Sequence, residues 1–155
     1  MKLLKKFLLI CVGIVVFITA LSICKFAVTG TSLLNDIQLK FYELQLKTQK
    51  LPENTEFVEI KSVLGKLNGN GNGIDFLNTM LICSDLTFDE LNSYYTDMGL
   101  DVIQQTSSKF SHKILEHNAE IEYEALKDMV SSENYYVVFQ YKSGNALNNF
   151  DVRGH

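Results

Sequence analysis

The chain has 155 residues, enough for one domain of ordinary size with an appendage and too few for two independent cores. Hydrophobic residues make up 46% and charged residues 21%, Pro and Gly together fill only ten positions and Trp is absent, which excludes a disordered or fibrous chain. Residues 1–25 carry Lys2, Lys5, Lys6 and Lys25 and no acid, leaving ten basic against eighteen acidic groups in the remainder, a net charge near −8; such a body repels phosphate backbones, and nucleic acid is not an expected partner.

Residues 7–24 read FLLICVGIVVFITALSIC without a charge, behind MKLLKK and ahead of Lys25. At about 1.5 Å per residue the stretch reaches roughly 27 Å, close to the ~30 Å of a bilayer's hydrocarbon layer, so membrane lipid is its expected partner. Three lysines before it and one after favour the amino terminus inside and the acidic body outside, a single-pass arrangement at the cell membrane. The alternative is an export signal cut near Ala20-Leu21-Ser22, which also sends the body outside as a secreted protein. Leu21-Ser22-Ile23-Cys24 approaches a lipidation pattern, but bulky Ile23 stands where a small residue is needed. Cys11 and Cys24 lie in or at the edge of this segment, so Cys83 is alone in the body and reads as a small buried hydrophobe.

Thr29-Gly30-Thr31-Ser32 predicts a short polar break, followed by a juxtamembrane helix of about 15 residues capped by Ser32. The expected division is a membrane anchor or signal segment over 1–28, a juxtamembrane stalk over 29–50 and an extracytoplasmic domain over 51–155, with Pro52 marking the last boundary. Residues 55–67 and 74–83 have strand composition, and Asn68-Gly69-Asn70-Gly71-Asn72-Gly73 between them predicts a β-hairpin. Ile74, Phe76, Met80 and Ile82 fall on one face of the second strand and Leu77, Leu81 and Cys83 on the other, so that strand is expected to be covered on both sides.

Thr87-Phe88-Asp89-Glu90 is a capping box, with Leu86 and Leu91 placed as a hydrophobic staple and Gly99 as a left-handed stop, predicting a helix over 88–98. Residues 101–105 predict a short strand, 109–119 remain undecided, 121–125 alternate, and 125–129 suggest one helical turn. Residues 135–142 predict a strand with Tyr135, Val137, Phe139 and Tyr141 on one side. Strands and helices mix without a βαβ repeat, so the expected class is α+β: an N-terminal transmembrane helix followed by a small antiparallel sheet with one or two helices packed on it.

LPENTEFVEI, GKLNGNGNG, SDLTFDELNSYY and the closing DVRGH, in this order, resemble a family of small membrane-anchored or exported proteins of Gram-positive anaerobic bacteria. The resemblance covers about residues 50–155 and implies a location outside the cytoplasm; it carries no known activity and assigns no residue a role.

Several clusters invite chemistry. The alternating glycines lead into another strand and so read as a turn rather than a phosphate cradle, leaving Asn70 and Asn72 as exposed polar contacts. His112, Glu116 and His117, with Glu120, Glu122 and Glu124 behind them, are the densest group of nitrogen and oxygen donors and support the alternative of a metal-dependent hydrolase or metal-binding protein. Their spacing departs from the two-His arrangement of metalloprotease helices, and a solvated acidic face is the plainer reading. Arg153, the only arginine, stands with Asp151 and His155 at the carboxyl end and is expected either to fray or to pair with an acid and pin the tail to the sheet. The pairs Tyr94-Tyr95 and Tyr135-Tyr136 are expected to split between core and surface, with Tyr95 and Tyr136 taken as outward contact candidates. No catalytic residue and no cofactor are assigned, and the leading expectation is a domain that binds or assembles at the cell surface, with a protein or cell-envelope partner.

Overall fold

The computed structural model describes residues 2–68, 73–110, 112, 120–127, 134–144 and 148–154. The chain opens with one uninterrupted helix, α1 (Lys2–Lys47), and the remaining elements are β1 (Thr55–Gly65), β2 (Asp75–Ser84), α2 (Phe88–Thr96), β3 (Asp101–Gln104), β4 (Lys109–Phe110), β5 (Ile121–Glu122) and β6 (Tyr135–Ser143), with 3-10 turns at Glu124–Leu126, Asn148–Phe150 and Val152–Gly154. Four strands form one antiparallel sheet in the order β1-β2-β6-β3, and β4 pairs with β5 in a separate small hairpin. The fold is thus α+β, with an N-terminal apolar helix, an antiparallel sheet and a short second helix.

The polar break predicted at residues 29–32 does not interrupt α1. The Thr31 and Ser32 hydroxyls donate to the carbonyls of Ala27 and Val28 one turn earlier, so both residues satisfy themselves inside the helix, and Ser32 caps nothing. The stretch that looked like a separate helix is the second half of α1, and it lies against the sheet.

The central strand β2 is buried on both faces, as its composition predicts, and its neighbour β6 is buried on both faces through its middle. One face gathers Met80, Ile82, Tyr136 and Val138 with Val102 of β3, Leu91 and Tyr95 of α2 and Leu46 of α1. The other gathers Leu77, Leu81, Val137 and Phe139 beneath Phe110, Ile121, Tyr123 and Leu126. Helices therefore cover one side, and the β4–β5 hairpin with its following 3-10 turn covers the other. Tyr135 and Tyr141 flank this second cluster, in agreement with the predicted face of β6. Of the alternating segment 121–125, only Ile121–Glu122 pairs as a strand, because residues 124–126 close a tight turn.

α2 begins where its capping box places it. Thr87 accepts from the Glu90 amide, and the Glu90 carboxylate accepts from the Thr87 amide at 2.9 Å, which holds that carboxyl below its ordinary range. The helix ends two residues before the expected Met98, and Gly99 at φ +70° lets the Leu100 amide reach back to the Tyr95 carbonyl at 3.0 Å.

Candidate functional site

The feature that sets this chain apart is α1, whose two halves live in different surroundings. By length and composition it can cross a membrane, and none of its most apolar 18-residue stretch is buried against the rest of the chain. From Ser32 onward one face meets the domain: Asn35 and Leu46 are buried, and Tyr42 sets its ring edge-on against Phe76 of β2 with centroids 5.6 Å apart. Lys142 of β6 lies over the Tyr42 ring at 4.3 Å, and Gln38 donates to the Tyr42 hydroxyl.

The carboxyl end closes on this half of the helix through a polar clasp. Asp151, with no exposed surface, accepts from Asn35 Nδ2 at 2.9 Å, from Arg153 Nε at 2.9 Å and Nη2 at 2.7 Å, and from the Arg153 amide at 3.1 Å. Arg153 then spans outward, donating through Nη1 to Asp36 Oδ1 at 2.7 Å and through Nη2 to the Ser32 carbonyl at 3.0 Å. Asn148 donates to Asn35 Oδ1 and Gln38 Oε1, and the Arg153 carbonyl accepts from the Lys66 amide next to the end of β1. The guanidinium beside it, together with the Asn35 amide, holds the Asp151 carboxyl well below the usual carboxylate range, against the opposing effect of burial. Arg153 is reciprocally held further into its charged form, mainly by Asp151. Arg153 pairs with Asp151 as one of the two expected outcomes has it, but the tail is tied chiefly to α1, and it meets the edge of the sheet at the end of β1, where the Arg153 carbonyl lies beside Gly65 and accepts from the Lys66 amide.

The remaining candidates scatter. Tyr95 is fully buried and Tyr136 is 6% exposed, so both are the inward members of their pairs, reversing the expected assignment: i, i+1 residues on a helix or strand face different ways, and the capping-box frame turns Tyr95 into the core. Burial pushes the Tyr95 phenol up to about 12, and its neighbour Tyr94 instead donates to the Lys50 carbonyl at 2.9 Å. Asn70, Asn72, Glu116 and His117 lie outside the described residues. His112 sits against the Phe110 and Phe139 rings, at centroid distances of 6.2 and 5.0 Å. The carboxylates behind it turn to lysines: Glu120 to Lys109, and Glu122 and Glu124 to Lys127. Among the described residues no three His, Cys, Asp or Glu side chains converge to hold a metal ion.

A cleft of 540 Å³ opens at the far end of the sheet, lined by Asn54, Thr55, Glu56, Cys83, Ser84 and Asp85. Its Ser84 hydroxyl bonds Thr55 Oγ1, the Asn54 carbonyl and the Leu86 amide, tying the start of β1 to the end of β2. Burial, followed by the Glu56 and Asp85 charges, pushes the Cys83 thiol up, away from the thiolate a nucleophile requires.

Sequence reasoning missed Asn35, Asp36 and Asn148. A signal for the first two exists, since Asn35-Asp36 is the only Asn-Asp pair set between apolar residues on α1, but their partners lie more than 110 positions away. Comparisons with protein-family models, with curated proteins and with solved structures find no match for this chain.

Proposed function

We propose that this chain is a membrane-anchored domain displayed on the outer side of a bacterial membrane, with the first half of α1 in the bilayer, and that it acts by binding or assembly without chemistry of its own. One observation carries the reading: a single continuous helix is bare and apolar in its first half and lies with one face against an acidic domain in its second. A domain clasped to the same helix that enters the bilayer cannot swing freely. Side-chain packing at Leu46 and Tyr42 and the Arg153 clasp fix its height and orientation, which suits a part that must present one face to a partner. The lysines at positions 2, 5 and 6 favour an inside amino terminus, which supports an outer position for the acidic body.

Protease treatment of whole cells, followed by fractionation and mass spectrometry, tests the reading. The expected result is a membrane-bound chain of full mass whose domain is digested from outside. A species beginning near Ile23 in the medium supports the exported alternative and removes the anchor. Full-length protein in the cytosol, untouched by the protease, refutes both.

A further inference from the structure

We propose that α1 carries a seam for a second copy of this chain, pairing the two helices in parallel from the bilayer outward. This rests on the anchoring reading, which brings the copies to one height and one direction. In the half of α1 that meets the domain, the residues facing away from the sheet are large and apolar: Leu34, Ile37, Phe41 and Leu44 are exposed by 66%, 58%, 56% and 58%. Their spacing of three, four and three makes a narrow stripe of the width that two helices wound together bury. At 100° per residue this stripe lies about 150° round the helix from the face that buries Asn35 and Leu46, so the domain leaves it open.

The bilayer does not cover it either. A straight helix rises about 1.5 Å per residue, so residues 34–44 stand roughly 9 to 24 Å beyond Val28, outside the hydrocarbon. Carried back in the same repeat, the stripe continues as Leu9, Val16, Ile23 and Gly30 at one position and Gly13, Ala20 and Ala27 at the other, and the small residues let helix backbones approach within lipid. The charges beside the stripe set direction. In a parallel pair Lys40 faces the neutral Gln45 of the other copy, whereas an antiparallel pair would set Lys40 and Lys47 against the lysines opposite. With Leu33 at the edge, the outer stripe offers roughly 550 Å² per copy and about 1,100 Å² for a pair, just short of the ~1,200 Å² at which stable interfaces begin, before the intramembrane length is added. Confinement to one membrane supplies the remaining advantage through effective concentration.

The test uses the full chain with Cys11→Ser and Cys24→Ser in phosphatidylcholine vesicles, adding one cysteine at Ile37 or at Asn92, which is exposed on α2. Flotation with the vesicles reports anchoring separately. Under mild oxidation Ile37→Cys should give roughly tenfold more disulfide dimer than Asn92→Cys or the parent, as expected for a pair held at effective concentrations near millimolar. Adding Phe41→Glu should abolish that excess while leaving the domain's melting temperature unchanged, because Phe41 touches the domain little. Vesicle-bound protein with no excess at Ile37 overturns the seam and leaves the anchor standing; protein that does not float overturns the anchoring reading itself, and the seam with it.

Discussion

Replacing Asp151 by alanine removes the acceptor at the centre of the clasp. Asn35 Nδ2, the Arg153 side chain and the Arg153 amide all lose their partner. These losses are unequal. Arg153, with 37% of its side chain exposed, keeps Asp36 and the Ser32 carbonyl and can turn to water, so its share is small after screening. Asn35 is 1% exposed and cannot reach water; leaving its amide unpaired costs about 1–3 kcal/mol. Together with the tail amide the expected loss is about 3 kcal/mol, a large part of the 5–15 kcal/mol typical of a domain. Urea unfolding of the full chain in detergent micelles measures it, and hydrogen exchange locates it: the Lys66 amide, which donates to the Arg153 carbonyl, should lose protection first. The same group fixes the pH dependence. Because the folded carboxyl is depressed, its contribution is fully present above the unfolded value of about 3.9 and is lost only as pH falls below that towards the folded value. Stability from the clasp should therefore hold from pH 7 to 5 and decline below about 4, with the decline missing in the variant. A change under about 0.5 kcal/mol, with Lys66 protection intact, would refute the reasoning.

Leu46→Ala should destabilise the domain by about 2–4 kcal/mol, because Leu46 is 2% exposed where α1 meets Met80, Ile82 and Tyr95, whereas the adjacent exposed Gln45→Ala should change it by less than about 0.5 kcal/mol in the same urea titration. Gly144→Ala should lower stability by about 1–3 kcal/mol: an added Cβ would stand 2.6 Å from the Ile74 carbonyl oxygen and 2.9 Å from Asn148 Cβ, at a position whose amide bonds that same carbonyl, and an unchanged melting curve would contradict this. Cys83, only half-buried at the cleft and not the fully buried residue expected, should still alkylate several-fold more slowly than a free cysteine at pH 8, since a raised thiol stays protonated there and gains reactivity only at higher pH; equal rates with iodoacetamide would contradict the raised thiol. Chelator should leave the melting temperature unmoved, and a stoichiometric metal found by elemental analysis would return attention to His112 and the residues that follow it.

Local chemistry alone specified a good deal of this protein. The capping box fixed the start of α2 because its partners sit three residues apart, and alternation assigned the two faces of β2 and β6 because a strand's period is short. The uncharged run over residues 7–24 marked a helix long and apolar enough to cross a membrane. Where sequence reasoning failed, the deciding contacts are distant or compete with a local signal. Thr29 to Ser32 look like a break, yet hydroxyls bonding back to carbonyls one turn earlier are at ease in a helix, so α1 continues and its second half becomes part of the core. Tyr95 follows from the frame of α2, four residues on from buried Leu91, but Tyr136 could be placed inward only by knowing which face of β6 the neighbouring layers cover. The closing Asp-Val-Arg-Gly-His reads alone as a frayed end. Its carboxylate is buried and charged because Asn35 and Arg153 meet there, and no pattern within five residues encodes that meeting: folding brings the two ends of the domain together, and burial then makes each bond worth keeping.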